Sequence, residues 1–175
     1  MSIAFMAVAT SSMAQSLNKM NWLNEPQQWE IKDGKTLVMD VPAKTEFWRI
    51  SHYGFTVDDG PFYYATYGGE FEAKVKITGN YVTTFDQMGL MLGIDNENWI
   101  KAVRRLDAVE IFFSRDDKEY IMMRTCWLQD NCPVMVGLMG ACPDGKGFTA
   151  TFEEFKVTPL ADQIRLEWAK RQMDK

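Results

Sequence analysis

Histidine occurs once in this 175-residue chain, at His52, and cysteine only three times. A single imidazole leaves little material for a His-rich metal centre or a Ser/His/Asp triad, and beside Tyr53 it reads as a loop hydrogen-bonder. Cys126, Cys132 and Cys142 form no CxxC pair and no zinc-ligand spacing, so neither a metal nor any other cofactor is expected. Long apolar runs are missing: none approaches the roughly 20 residues that span a bilayer. Excess positive charge is missing as well. Lys and Arg number 19 against 24 Asp and Glu, a net charge of −5, which makes nucleic acid and anionic membrane surfaces poor partners. No internal repeat, low-complexity tract or linker interrupts the chain.

What remains is ordinary globular material: 46% hydrophobic and 25% charged residues, enough for one domain with a real core. Residues 1–14 are apolar and rich in small side chains, and Ser12-Met13-Ala14 fits a small-x-small cleavage site before Gln15. The segment reads as the remnant of a secretory signal peptide, without the usual basic start, and implies export to the periplasm or the exterior. A packed N-terminal segment on a cytoplasmic protein is the alternative. Cys126 and Cys132 flank the turn Gln129-Asp130-Asn131, so a hairpin would let them bridge if register allows; three partly buried thiols serve equally well.

From Trp29 to Val157 the dominant signal is a period of two. Phe71, Ala73, Val75 and Ile77 share one face, with Glu72, Lys74 and Lys76 on the other, the pattern of a half-buried antiparallel strand. Asp33-Gly34 joins Trp29–Lys32 to Thr36–Val41 as a hairpin; Arg115-Asp116-Asp117-Lys118 joins Ala108–Phe113 to Tyr120–Leu128. Val134–Met139 and Phe148–Val157 are connected by the Pro/Gly loop Pro143 to Gly147, and Glu153-Glu154 breaks the alternation as a bulge would. Many short strands predict an all-β two-sheet sandwich over residues 20–159. After Pro159, the mixture of Leu160, Ile164, Leu166 and Trp168 with charges predicts a short amphipathic helix over 160–175.

The most informative stretch runs from Phe85 to Lys101. Asp86 and Gln87 stand directly before the apolar run Met88–Ile94, a turn rich in Asp and Asn follows, and then Trp99 and Lys101. Polar groups entering a buried strand need partners or a cavity to line, because an unpaired buried amide costs roughly 1–3 kcal/mol. They form either a structural network or a binding site. The twelve methionines, several of them inside strands, read as adaptable core filler.

Several ordered motifs carry a family resemblance: Trp22-Leu23-Asn24-Glu25-Pro26, Thr45-Glu46-Phe47-Trp48, His52-Tyr53-Gly54-Phe55, Asp86 to Met91, Asn98-Trp99-Ile100-Lys101, Asp107 to Ile111 and Pro143 to Phe148. From about Met20 onward the chain resembles the DUF1349 family. The resemblance implies a concanavalin A-like jelly-roll β-sandwich; it implies no established activity, although the fungal member is named as a regulator of enolase. This chain departs from the family where Lys101 runs directly into Ala102-Val103-Arg104-Arg105. Relatives continue there through further strands with a Ser-Asp-Trp motif. A sandwich without those strands exposes a sheet edge or a core flank, so the chain dimerises or rearranges there, or lacks a piece of the natural protein.

Three functions follow. Trp48, Tyr53, Phe62, Tyr63, Tyr64, Tyr67 and Trp99 lie in or beside loops and strand ends, among Asp86, Gln87, Asn98, Lys101 and Arg104. Sugar rings pack C–H faces on aromatic planes and offer hydroxyls to amides and charges, so a concave sheet face would suit a glycan or another polyhydroxylated ligand. The expected non-catalytic binding surface comprises Gln87, Trp99, Lys101 and Arg104, with Asp86 beside them and Trp48 and Tyr53 at the rim. The second function is a protein-interaction or regulatory module working through the exposed edge, which also allows a homodimer. The third, a glycoside hydrolase, rests on Asp107 and Glu110, which match part of a Glu-x-Asp-x-x-Glu strand but lack its first carboxylate. Asp58-Asp59-Gly60 and Asp95 to Asn98 hold oxygens of the kind calcium takes, without EF-hand spacing.

Overall fold

The computed structural model describes residues 17–49, 54–93, 99–100, 103–105, 108–129 and 132–160, with backbone alone at 99–100 and 103–105. Among the described residues a 3-10 turn, Leu17–Lys19, precedes fourteen strands. In chain order they are β1 Asn21–Leu23, β2 Trp29–Lys32, β3 Thr36–Val41, β4 Phe47–Arg49, β5 Thr56–Asp58, β6 Phe62–Tyr67 and β7 Phe71–Gly79. There follow β8 Gln87–Gly93, β9 Trp99–Ile100, β10 Val103–Arg105, β11 Ala108–Phe113, β12 Ile121–Trp127, β13 Val134–Ala141 and β14 Phe148–Pro159. Residues 1–14, expected as a signal remnant, and 161–175 of the expected C-terminal helix lie outside the described residues; Leu160 is described and is not helical.

Two antiparallel sheets make the sandwich. One has five strands in the order β1-β6-β13-β8-β9; the other has seven, β12-β11-β10-β7-β14-β3-β2. The all-β sandwich read from the period of two is thus the observed architecture. Between the sheets, Tyr63, Leu92, Val136 and Leu138 meet Leu37, Met39, Phe71, Ala150 and Phe152 in one apolar core. Strand alternation decides which residues reach it, since neighbours along a strand face opposite ways.

The same alternation builds a second, smaller cluster on the outward face of the five-stranded sheet. There Phe62, Met91, Met139 and Ala141 are sealed by Phe47, which comes from the separate two-stranded ribbon of β4 and β5. Gly137 allows β13 to lie this close to β6: a Cβ there would stand 2.0 Å from the Tyr63 carbonyl oxygen.

Several local expectations are met. β2 and β3 form the hairpin, with Asp33 (φ 53°) and Gly34 (φ 65°) both left-handed at its tip. β11 and β12 pair as foreseen. The register between β14 and β7 shifts between Glu153 and Lys156, with Glu154 at φ 56°, which is the bulge. The Pro/Gly loop carries the chain from one sheet to the other, because β13 and β14 belong to different sheets. One detail differs: Ile77 is exposed, because the buried part of β7 ends sooner than its alternation does.

Candidate functional site

β8 lies inside the five-stranded sheet and sends Gln87, Gly89, Met91 and Gly93 to the outward face. Met88, Leu90 and Leu92 go to the core. Register sets this face out in rows. Leu23 and Phe62 align with Met139 and Gly89; Asn21 and Tyr64 with Gly137 and Met91; Thr66 with Met135, Gly93 and the backbone of Trp99. Phe47 covers the first of these rows. The rows beyond it are more open: Tyr64 and Met135 are half-buried, and Asn21 and Thr66 are exposed. Tyr64 is held by stacking on Phe62, with ring centroids 5.2 Å apart.

Gln87 stands at the covered end. Its Nε2 donates to Glu46 Oε1 at 3.0 Å, and the same oxygen accepts the Phe47 backbone N–H at 2.8 Å. Asp59 Oδ1 in turn accepts the Glu46 N–H at 2.8 Å, and Asn24 Nδ2 donates to the carbonyls of Asp58 and Gly60. These bonds pin the β4–β5 ribbon, and with it the Phe47 ring, against the sheet.

Asp86, one residue earlier, turns the other way and serves the loop of residues 81–86. It is buried, and it accepts the N–H groups of Val82 and Thr83 and the Thr83 hydroxyl at 2.7–2.8 Å. Burial alone would raise its pKa. The donors from Thr83, Cys142 and Val82 outweigh burial and lower the carboxyl to about 2. Burial pushes the neighbouring Cys142 thiol up, and the Asp86 carboxylate beside it holds the proton on. All three cysteines are free.

The other expected site residues divide. Trp48 follows Phe47 on β4, so it faces the far side of the ribbon, where its ring meets Phe55. Trp99 pairs with Gly93 in the five-stranded sheet, whereas Arg104 pairs with Phe71 and Val109 in the seven-stranded one. Tyr53, Lys101, His52, Asp107 and Asp95 to Asn98 lie outside the described residues. Of the remaining aromatics, Phe62 and Tyr63 are core, and Tyr67 is half-buried with its hydroxyl driven to about 12 by burial. Among the described residues no group of three His, Cys, Asp or Glu is placed to hold a metal ion, and no helix is long and apolar enough to cross a membrane. Glu46 was not foreseen as the partner of Gln87. They are 41 positions apart, and no local pattern links them.

The family model described as a protein of unknown function (DUF1349) matches residues 22–104 and 101–160. The chain belongs to the DUF1349 family. Regulation of enolase protein 1 of Saccharomyces cerevisiae is 27% identical over 187 residues, covering 85% of this chain and 94% of the relative. A crystal structure of a functionally unknown protein from the same yeast superposes with a TM-score of 0.75 at 25% identity, over 83% of this chain and 99% of that one. The aligned span of 187 exceeds this chain's 175 residues, so the relative carries residues with no counterpart here. The two matched segments of this DUF1349 chain meet at residues 101–104, between β9 and β11.

Proposed function

We propose that this protein binds a carbohydrate, or a comparably hydroxylated ligand, on the outward face of its five-stranded sheet, without turning it over. The observation that carries the reading is the pair of more open rows beside the Phe47 wall. Tyr64 offers a ring stacked from behind, Met135 a polarisable floor, and Asn21 and Thr66 hydroxyl-bonding groups at the margin. Glycines at 93 and 137 keep the floor low between them. Trp99 joins the outer of these rows by backbone register, and Trp99 and Lys101 enter the proposal as residues whose chemistry suits such a ligand. In this reading Gln87 holds the covering ribbon and Asp86 its own loop rather than touching the ligand, and the protein is exported to where such ligands occur. A glycan array probed with the full chain tests the proposal: retention that is lost in Tyr64→Ala is expected, and no retention on any glycan would overturn it.

A second reading, an interaction module, is favoured by a different observation. The β11–β12 hairpin at the edge of the seven-stranded sheet is apolar and exposed. The name of the yeast relative, a regulator of an enzyme, accords with a surface of this kind.

A further inference from the structure

The two layers of the sandwich differ in width by two strands. At one side Trp22 of β1 meets Trp29 of β2, with ring centroids 5.3 Å apart; further along, Met88 of β8 lies against Gly79 of β7. Counted from the β1–β2 side, the five strands of one sheet lie over the first five of the other, which brings β9 over β10. β11 and β12 extend past that end, with no described strand opposite them. Alternation and register identify the side chains left bare. Val109 is core, so Ile111 and Phe113 share its inward face, and pairing with β12 puts Cys126, Arg124 and Ile121 there as well. Exposure rises along this face: Val109 is buried, Ile111 half-buried, Phe113 47% exposed and Ile121 68%. Phe112, Met122 and Trp127 point to the opposite face, and the register shift falls at Met123 between the two sets.

The comparison with the yeast regulator gives a second, independent measure of the same gap. The 85% of this chain that aligns is about 149 residues, against an alignment of 187 positions, so about 38 positions of the relative have no counterpart here. The two segments matched by the family model overlap at 101–104, between β9, the last strand of the five-stranded sheet, and β11. About 38 positions hold two strands of the usual 5–6 residues with their connections, and two strands are what the narrower sheet lacks.

We infer that the bare inward face of β11 and β12 is a docking site for a β-hairpin of another polypeptide, added beside β9 so that it completes the five-stranded sheet. This rests on the interaction reading above and gives it an occupant. The incoming hairpin continues an existing layer, so its chemistry follows from the layer it faces. Apolar side chains at alternate positions pack on Ile111, Phe113 and Ile121, and main-chain bonds to β9 set the register. Arg124 is the one charge that β11 and β12 turn to this face, so a carboxylate on the hairpin suits the position opposite it. The outward apolar residues of β12 take no part.

Calorimetric titration of the full chain tests it. The probe is a synthetic peptide carrying the segment of the yeast regulator that has no counterpart here; the control is a peptide of the same composition with its alternation broken. One-to-one binding of the first and none of the second is expected, with β9 amides exchanging at least tenfold more slowly in the complex. Phe113→Lys and Ile121→Lys should each weaken binding at least tenfold. Phe112→Lys and Met122→Lys place the same charge at the same level of the hairpin on its other face, and should bind as the wild type does, which separates loss of the site from loss of folding. Absence of peptide binding, or equal binding of both peptides, would overturn the inference. Weakening by the outward variants alone would overturn the inward face while leaving the interaction reading in place. An apolar dye, anilinonaphthalene sulfonate, should fluoresce on the free chain and be displaced by the peptide. A free chain that binds neither dye nor peptide would overturn the interaction reading as well, since the hairpin would then be covered.

Discussion

Gln87 opens β8 and Glu46 stands just before β4 of the two-stranded ribbon, yet the Gln87 amide and the Glu46 carboxylate are bonded at 3.0 Å. The bond joins the start of β8 to the ribbon that carries Phe47, so it sets how much of the outward face is covered. Its removal should act on the ribbon before it acts on the core. Gln87→Ala and Glu46→Ala are each expected to cost about 1 kcal/mol. The double variant should cost less than their sum, because both remove the same bond. Urea unfolding of the four proteins checks this, and strict additivity would show that the pair is uncoupled.

Asp86 organises its loop as an ionised group. Its folded pKa of about 2 lies below the ordinary carboxyl value of 3.8, so its contribution is fully present above pH 4 and is lost as pH falls toward 2. Asp86→Asn is expected to lower stability by about 1–2 kcal/mol at neutral pH. The difference from wild type should close by pH 2. Thermal melts of both proteins across that range measure it; a gap independent of pH would mean that the carboxylate charge contributes nothing.

The thiols should differ in reactivity. Cys142 is fully buried and held protonated, while Cys126 and Cys132 are only partly covered. Alkylation of the native protein followed by mass spectrometry is expected to modify Cys126 and Cys132 well before Cys142. Modification of Cys142 at an equal rate would contradict the packing around Asp86.

Glu154 holds a left-handed backbone at the β14 bulge, a conformation that costs a side chain energy and glycine almost none. Glu154→Gly should therefore raise stability by about 0.5–1 kcal/mol, as read by chemical denaturation. A loss of stability would show that the Glu154 side chain matters more than its backbone.

The strands were legible in the sequence because alternation reports directly on burial, as it does for Phe71, Ala73 and Val75. The bulge was legible because Glu153-Glu154 broke that alternation. What could not be read was anything set by the stacking of sheets. Asp86 and Gln87 look alike as polar residues entering a strand, yet one braces its own loop and the other reaches Glu46, because adjacent residues face opposite ways. Trp48 looked available as a rim aromatic, but its position after Phe47 turns it toward Phe55. Trp99 and Arg104, close in sequence, fall in different sheets because the chain crosses between them.

The most direct test of the account is an equilibrium titration of the best array glycan into the wild type, Tyr64→Ala and Trp99→Ala, with melting temperatures recorded for each. The account predicts affinity at least tenfold weaker in both variants, with each variant still unfolding cooperatively and Tyr64→Ala melting below the wild type because it loses the stack on Phe62. Unchanged affinity in both variants would contradict binding on the outward face of the five-stranded sheet.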